Sequence, residues 1–136
     1  MSNMKIVAII ACAGKGQRAC QTQNKIFAKR FGVPVIYQTV SKFSEISKVD
    51  EIIIVHAKGE DKAIKEILNG INKPITYVLG GETRFISIKN ALDTLDGSEG
   101  VLIHDGARPD VSVKDICACI KTLIMHGTAI LAKKNR

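Results

Sequence analysis

Three clusters in the sequence combine glycine with charged or hydroxyl side chains. They are Ala13-Gly14-Lys15-Gly16-Gln17-Arg18 followed by Asn24-Lys25, Gly80-Gly81-Glu82-Thr83-Arg84 with Ser87, and His104-Asp105-Gly106-Ala107-Arg108-Pro109. In the first, glycines let backbone N–H groups approach an anion and nearby cations neutralise it, which is the chemistry of a phosphate cradle. Glycines that serve only a turn would leave the same trace. In the second, two glycines open a backbone edge to a planar ligand, with Glu82 and Ser87 as polar neighbours; a solvated helix start at Glu82 or Thr83 is the alternative. In the third, Asp105 offers a carboxylate to a magnesium ion or a ribose hydroxyl, and Arg108 pairs with phosphate or with Asp105 itself. His104 has no nucleophile beside it and reads as a packed, hydrogen-bonded side chain.

The spacing excludes two commoner phosphate loops. Lys15 is followed by Gly16, and no G-x-x-x-x-G-K-[ST] string occurs, so the first cluster is not a Walker loop. Gly14, Gly16 and Ala19 fit the dinucleotide pattern G-x-G-x-x-A, which needs an acidic residue some 20 positions on to hold a ribose. From Ala19 through Ser44 there is no Asp or Glu; Lys25, Lys29, Arg30 and Lys42 stand there instead. A NAD reading therefore loses its second feature.

These clusters must be held by something rigid, and the apolar pattern supplies it. Short apolar runs at Ile6 to Ala13, Glu51 to His56, Ile75 to Leu79, Val101 to His104 and Thr128 to Ala132 alternate with amphipathic stretches. Continuous β-branched runs suit strands covered on both faces. Ile88, Ala91, Leu92 and Leu95 form one helical stripe, and Ile116, Ile120, Leu123 and Ile124 another. Ser112-Val113-Lys114-Asp115 reads as a capping box opening the second. The expected architecture is α/β: a doubly wound, mainly parallel, Rossmann-like sheet whose ligands bind at the carboxyl ends of the strands. All three polar clusters fall there.

Length and composition bound the rest. The 136 residues suit one domain with a real core, and 46% hydrophobic with 24% charged residues excludes disorder and coiled coil. A formal charge of +7 favours anionic partners. Aromatics are only 4% and no zinc-finger, KH or RRM signature occurs, so nucleic acid is not the expected partner. Cys12, Cys20, Cys117 and Cys119 lack metal-ligand spacing and read as small hydrophobes in a reducing compartment. Ile9-Ile10-Ala11-Cys12 could pass for a lipoprotein box, but the apolar run is too short for a signal or a membrane span. A cytoplasmic protein with no membrane partner is expected.

Taken in order and spacing, the three clusters resemble the 2-C-methyl-D-erythritol 4-phosphate cytidylyltransferase family, as do Val49-Asp50-Glu51-Ile52 and Gly127-Thr128-Ala129-Ile130-Leu131-Ala132. The chain is similar also to ribitol 5-phosphate cytidylyltransferases, which the same motifs do not separate. The resemblance implies a nucleotidyltransferase domain that transfers CMP from CTP to a sugar-alcohol phosphate with Mg²⁺ and releases pyrophosphate; for the methylerythritol acceptor this is a step of non-mevalonate isoprenoid synthesis. It implies that Arg18 and Lys25 stabilise the transition state and that Ala13, Gly14 and Gly16 hold phosphates. It implies further that Gly81, Glu82 and Ser87 read cytosine, and that Asp105 and Ala107 lie near the ribose, with Asp105 near the metal.

The chain departs from the family in three places. Asn24-Lys25-Ile26 stands where the family has Pro-Lys-Gln, Ala19 where a Met is common, and Lys133-Lys134-Asn135-Arg136 where the family continues. By this comparison residues 1–136 are expected to be a CTP-binding domain lacking the later segment that binds the acceptor and forms the family's homodimer arm. A non-catalytic nucleotide-binding remnant is the corresponding alternative.

Overall fold

A computed structural model describes residues 4–13 and 24–126 of the chain. In order, these form strand β1 (Ile6–Cys12), a 3-10 turn (Lys25–Phe27), β2 (Lys29–Arg30), β3 (Val33–Pro34), α1 (Val35–Ser44), β4 (Glu51–His56), α2 (Asp61–Ile67), β5 (Ile75–Leu79), α3 (Arg84–Leu92), β6 (Gly100–Asp105) and α4 (Val113–His126). Four of the expected strands are present within a residue or two. The fifth, Thr128 to Ala132, lies outside the described residues, as do Gly14, Gly16 and Arg18.

The main sheet has the order β5-β4-β1-β6 and every pairing in it is parallel. Ile9 lies between Ile53 and Ile103, and Ala11 between Val55 and Asp105, so the ends of β1, β4 and β6 are level. Alternation along β1 divides the core in two. Ile6, Ala8, Ile10 and Cys12 pack with Val40 and Phe43 of α1, Ile64 of α2 and Ile116, Ile120 and Leu123 of α4. Val7 and Ile9 face the other way, with Ile53, Val55 and Ala91 of α3. Both faces are covered, which is why these strands read as continuous apolar runs. Each buried isoleucine contributes about 1.5–3 kcal/mol to holding the layers together.

The helix stripes hold with two corrections. Ile116, Ile120 and Leu123 are buried as expected, but Ile124 is 37% exposed because it sits past the edge of the apolar stripe. Ala91 is buried and Ile88 partly so, whereas Leu92 is 41% exposed and Leu95 packs from beyond the end of α3. Ser112 Oγ accepts the Asp115 amide at 2.9 Å, the cap expected for α4. The short β2–β3 hairpin has no counterpart in the apolar pattern. Phe31 (φ 58°) and Gly32 (φ 79°) turn it through two consecutive left-handed residues, and Gln38 of α1 donates to the Arg30 and Val33 carbonyls at 2.7 and 2.9 Å.

Candidate nucleotide site at the strand ends

The described parts of the polar clusters gather at the carboxyl edge of the parallel sheet, and close contacts join the β1 and β5 exits. Gly80 leaves β5 with its amide donating to the His56 carbonyl at 2.8 Å. A Cβ on Gly80 would stand 2.4 Å from the Ala13 Cβ and 2.7 Å from Ser87 Oγ, so glycine is required for this turn to lie against the exit from β1. The Gly81 amide donates to Ser87 Oγ at 3.0 Å, and a Cβ on Gly81 would come within 2.1 Å of Ile86 Cγ2. Thr83 caps α3 by accepting the Ile86 amide at 3.0 Å. Gly81 and Glu82 are exposed, whereas Ser87 is buried and its hydroxyl serves the turn.

The third cluster is anchored from below by α1. The Gly106 amide donates to the Ala11 carbonyl at 2.9 Å, and the Gly106 carbonyl accepts from the buried hydroxyl of Thr39 at 2.9 Å. A Cβ on Gly106 would stand 2.5 Å from Cys12 Sγ. Lys42 Nζ donates to the Pro109 carbonyl, and Ala107 packs against the edge of the core. His104 is packed and hydrogen-bonded, as expected: its ring lies 5.4 Å from that of Phe43 and its Nε2 is 3.0 Å from the Arg108 carbonyl. Burial holds its pKa below the usual histidine value, partly offset by the Arg108 carbonyl.

Asp105 is the last residue of β6, with its carboxylate about one-third exposed. Its Oδ2 meets Arg108 Nε at 3.0 Å, and its Oδ1 meets Arg84 Nη1. The Arg108 pairing was one of the two sequence expectations; the Arg84 pairing was not foreseen. An ionised carboxylate has about four acceptor positions, so the two arginines leave capacity for a further partner. Among the described residues no group of three or more His, Cys, Asp and Glu is arranged to hold a metal ion. Asp105 is thus a single carboxylate at this edge, with acceptor positions left for a further partner.

Lys25 opens the 3-10 turn and is exposed, next to the exit from β1. The residue before it, Asn24, is buried and binds three ways: to the Cys12 carbonyl at 2.6 Å, the Glu60 carboxylate at 3.1 Å and the Ile26 amide at 3.3 Å. Asn24 thus fixes the lysine's backbone where the family has proline. Its signal in the sequence was that same departure, a residue rich in donors and acceptors directly before the lysine.

A parallel α/β layer with the Gly80-Gly81 and Gly106 turns at one carboxyl edge, and Lys25, Arg84 and Arg108 exposed at that edge, defines the class: a Rossmann-like domain. The family model for 2-C-methyl-D-erythritol 4-phosphate cytidylyltransferase matches residues 6–134, and the chain belongs to that family. It is 36% identical over 132 residues to the 2-C-methyl-D-erythritol 4-phosphate cytidylyltransferase of Alkaliphilus metalliredigens, covering 94% of this chain and 55% of that protein. It is 42% identical over 123 residues to the enzyme of that name from Clostridium kluyveri, covering 88% and 53%. The crystal structure of 4-diphosphocytidyl-2C-methyl-D-erythritol synthase from Anaerococcus prevotii superimposes with a TM-score of 0.75 at 35% identity, covering 88% of this chain and 51% of that one. The chain thus spans about half the length of the relatives it matches. Among the described residues no helix is long and apolar enough to cross a membrane.

Proposed function

We propose that residues 1–136 are the CTP-binding domain of a cytidylyltransferase that transfers CMP to 2-C-methyl-D-erythritol 4-phosphate and releases pyrophosphate. The observation that supports this reading is the contact of Gly80 with Ala13 and Ser87, which sets the second motif against the residue that opens the first in a chain of this family. Gly81 and Glu82 would meet the cytosine edge, Ala13, Gly14 and Gly16 the phosphates, and Asp105 and Ala107 the ribose. Ser87 would act on the base chiefly through the Gly81 amide that it holds.

The reaction asks for positioning and charge neutralisation rather than a covalent nucleophile. An acceptor phosphate oxygen attacks the α-phosphorus in line, the P–O bond to the β-phosphate breaks, and pyrophosphate leaves. Lys25 and Arg18 would neutralise the non-bridging oxygens as charge builds on them. Mg²⁺, held by triphosphate oxygens and one oxygen of Asp105, would supply further neutralisation of the polyphosphate. Free, mostly buried thiols at Cys12 and Cys119 support a cytoplasmic, reducing location. Binding of the acceptor and self-association would rest mainly on family elements beyond the region matched here.

Calorimetric titration with CTP, UTP, ATP and NAD in the presence of Mg²⁺ tests the binding half, with CTP expected to bind tightest. Equal affinity for all triphosphates would remove the cytosine assignment. Pyrophosphate release with methylerythritol phosphate and ribitol phosphate as separate acceptors tests the transfer. Turnover with the ribitol acceptor alone would replace the substrate named here.

A further inference from the structure

Arg84 is the first residue of α3, placed there by the Thr83 cap, and it reaches Asp105 at the end of β6. Among the described residues β5, which leads into α3, and β6 stand at opposite ends of the strand order, with β4 and β1 between them. One side chain therefore links the helix that carries the Gly80-Gly81 turn to the carboxylate on the far side of the β1 exit. The side chains of Arg84, Asp105 and Arg108 are 57%, 34% and 52% exposed, and ion pairs this open contribute little to stability. What the pairing does fix is direction: with a guanidinium on each oxygen, the carboxylate plane of Asp105 cannot turn freely, and its remaining acceptor positions have a set orientation.

We propose that Arg84 is a positioning residue of the nucleotide site, acting through Asp105: it presets the carboxylate for a nucleoside triphosphate with its divalent cation and ties it to the base-facing turn. The inference rests on the CTP reading above. Arg84 contacts Asp105 through a single nitrogen, Nη1, so a point charge of similar reach can replace it in part.

The test is a double-mutant cycle on CTP affinity in Mg²⁺, using the full chain with Arg84→Gln, Asp105→Asn and the pair. Arg84→Gln is expected to weaken CTP roughly 10-fold while leaving the thermal midpoint within about 2 °C, because the pair is exposed. The double variant should bind no worse than Asp105→Asn alone, since a residue that acts through Asp105 has nothing left to act on. Arg84→Lys should recover affinity to within about 3-fold of the parent. Losses that add would mean that Arg84 touches the nucleotide itself, and an unchanged Arg84→Gln would mean that it does nothing there; either overturns the proposal. A second measurement needs no nucleotide: the ¹³C shift of the Asp105 carboxyl should move in Arg84→Gln and stay put in Lys89→Gln, whose partner is Asp93. If the parent chain binds no CTP, the proposed function fails and takes the nucleotide role of Arg84 with it. The carboxyl shift still reports whether Arg84 sets Asp105, and an unmoved signal would overturn that link by itself.

Discussion

The side-chain amide of Asn24 donates to the Cys12 carbonyl at 2.6 Å, joining the end of the central strand to the turn that begins with Lys25. The same amide reaches Glu60, which stands before α2, and Asn24 Oδ1 accepts from the backbone of Ile26. One buried side chain thus stitches three segments at the carboxyl edge and sets the backbone on which the candidate catalytic lysine stands.

Asn24→Ala leaves the Cys12 carbonyl without this donor and should cost about 1–3 kcal/mol of stability. Asn24→Asp should cost more at neutral pH, because a carboxylate cannot donate and would sit beside the like charge of Glu60. Chemical denaturation of the two variants checks the order. An aspartate variant as stable as the parent at pH 7 would show that the amide's donor role is unimportant.

Gly81→Ala places a methyl 2.1 Å from Ile86 Cγ2 and 2.9 Å from its Cβ, so the first turn of α3 must move away from the Gly81 amide. Overpacking of this kind costs about 1–3 kcal/mol, and loss of the Gly81–Ser87 hydrogen bond should weaken CTP as well. Gly70→Ala is the control, since nothing lies within 4 Å of a Cβ there. The idea fails if the two alanine variants melt together and bind CTP alike.

Strands β1 and β4 were legible because both faces are covered, which makes Ile6–Cys12 and the interior of Glu51–His56 continuous apolar runs, whereas β5 and β6 are only partly covered and showed shorter ones. Local hydrogen-bonding chemistry was legible too: Ser112 before α4 and His104 as a packed ring followed from neighbours in sequence. The Arg84–Asp105 pairing was not, because it joins residues 21 apart whose approach depends on how α3 lies over the sheet. The Phe31 turn escaped for a different reason. A bulky residue at φ 58° carries no turn signal, and the hairpin is held by Gln38 from the next helix. Ser87 was read as a polar contact for a ligand; that its buried hydroxyl accepts the Gly81 amide was not legible, because only the tertiary packing of α3 decides it.

Lys25→Ala should leave the thermal midpoint close to that of the parent, since the side chain is exposed, while lowering transfer at least about 10-fold, or 1.4 kcal/mol of barrier. Single-turnover rates at saturating CTP, measured in a form extended with the relatives' later segment, separate this from weaker binding. A smaller loss would remove Lys25 from the transition state.

Far from the site, Glu51 gives acid stability a definite sign. Its Oε2 accepts the Thr76 hydroxyl at 2.6 Å and its Oε1 meets Lys5 at 3.0 Å. The Thr76 hydrogen bond, and then the Lys5 contact, hold its pKa below the ordinary 4.5, against a desolvation that works the other way. The unfolded chain therefore binds the proton more readily than the folded one does. Stability from this group is fully present above pH 4.5 and is lost as pH falls through the lower folded value. Glu51→Gln should flatten the stability profile in that window. Because the Thr76 hydroxyl and the Lys5 ammonium both lower it, Thr76→Val and Lys5→Gln should each raise the Glu51 pKa, read by ¹³C titration of its carboxyl. Added salt should diminish the Lys5 effect, since that ammonium is open to solvent. A Glu51 pKa unmoved by Thr76→Val would remove the hydroxyl as a cause of the shift.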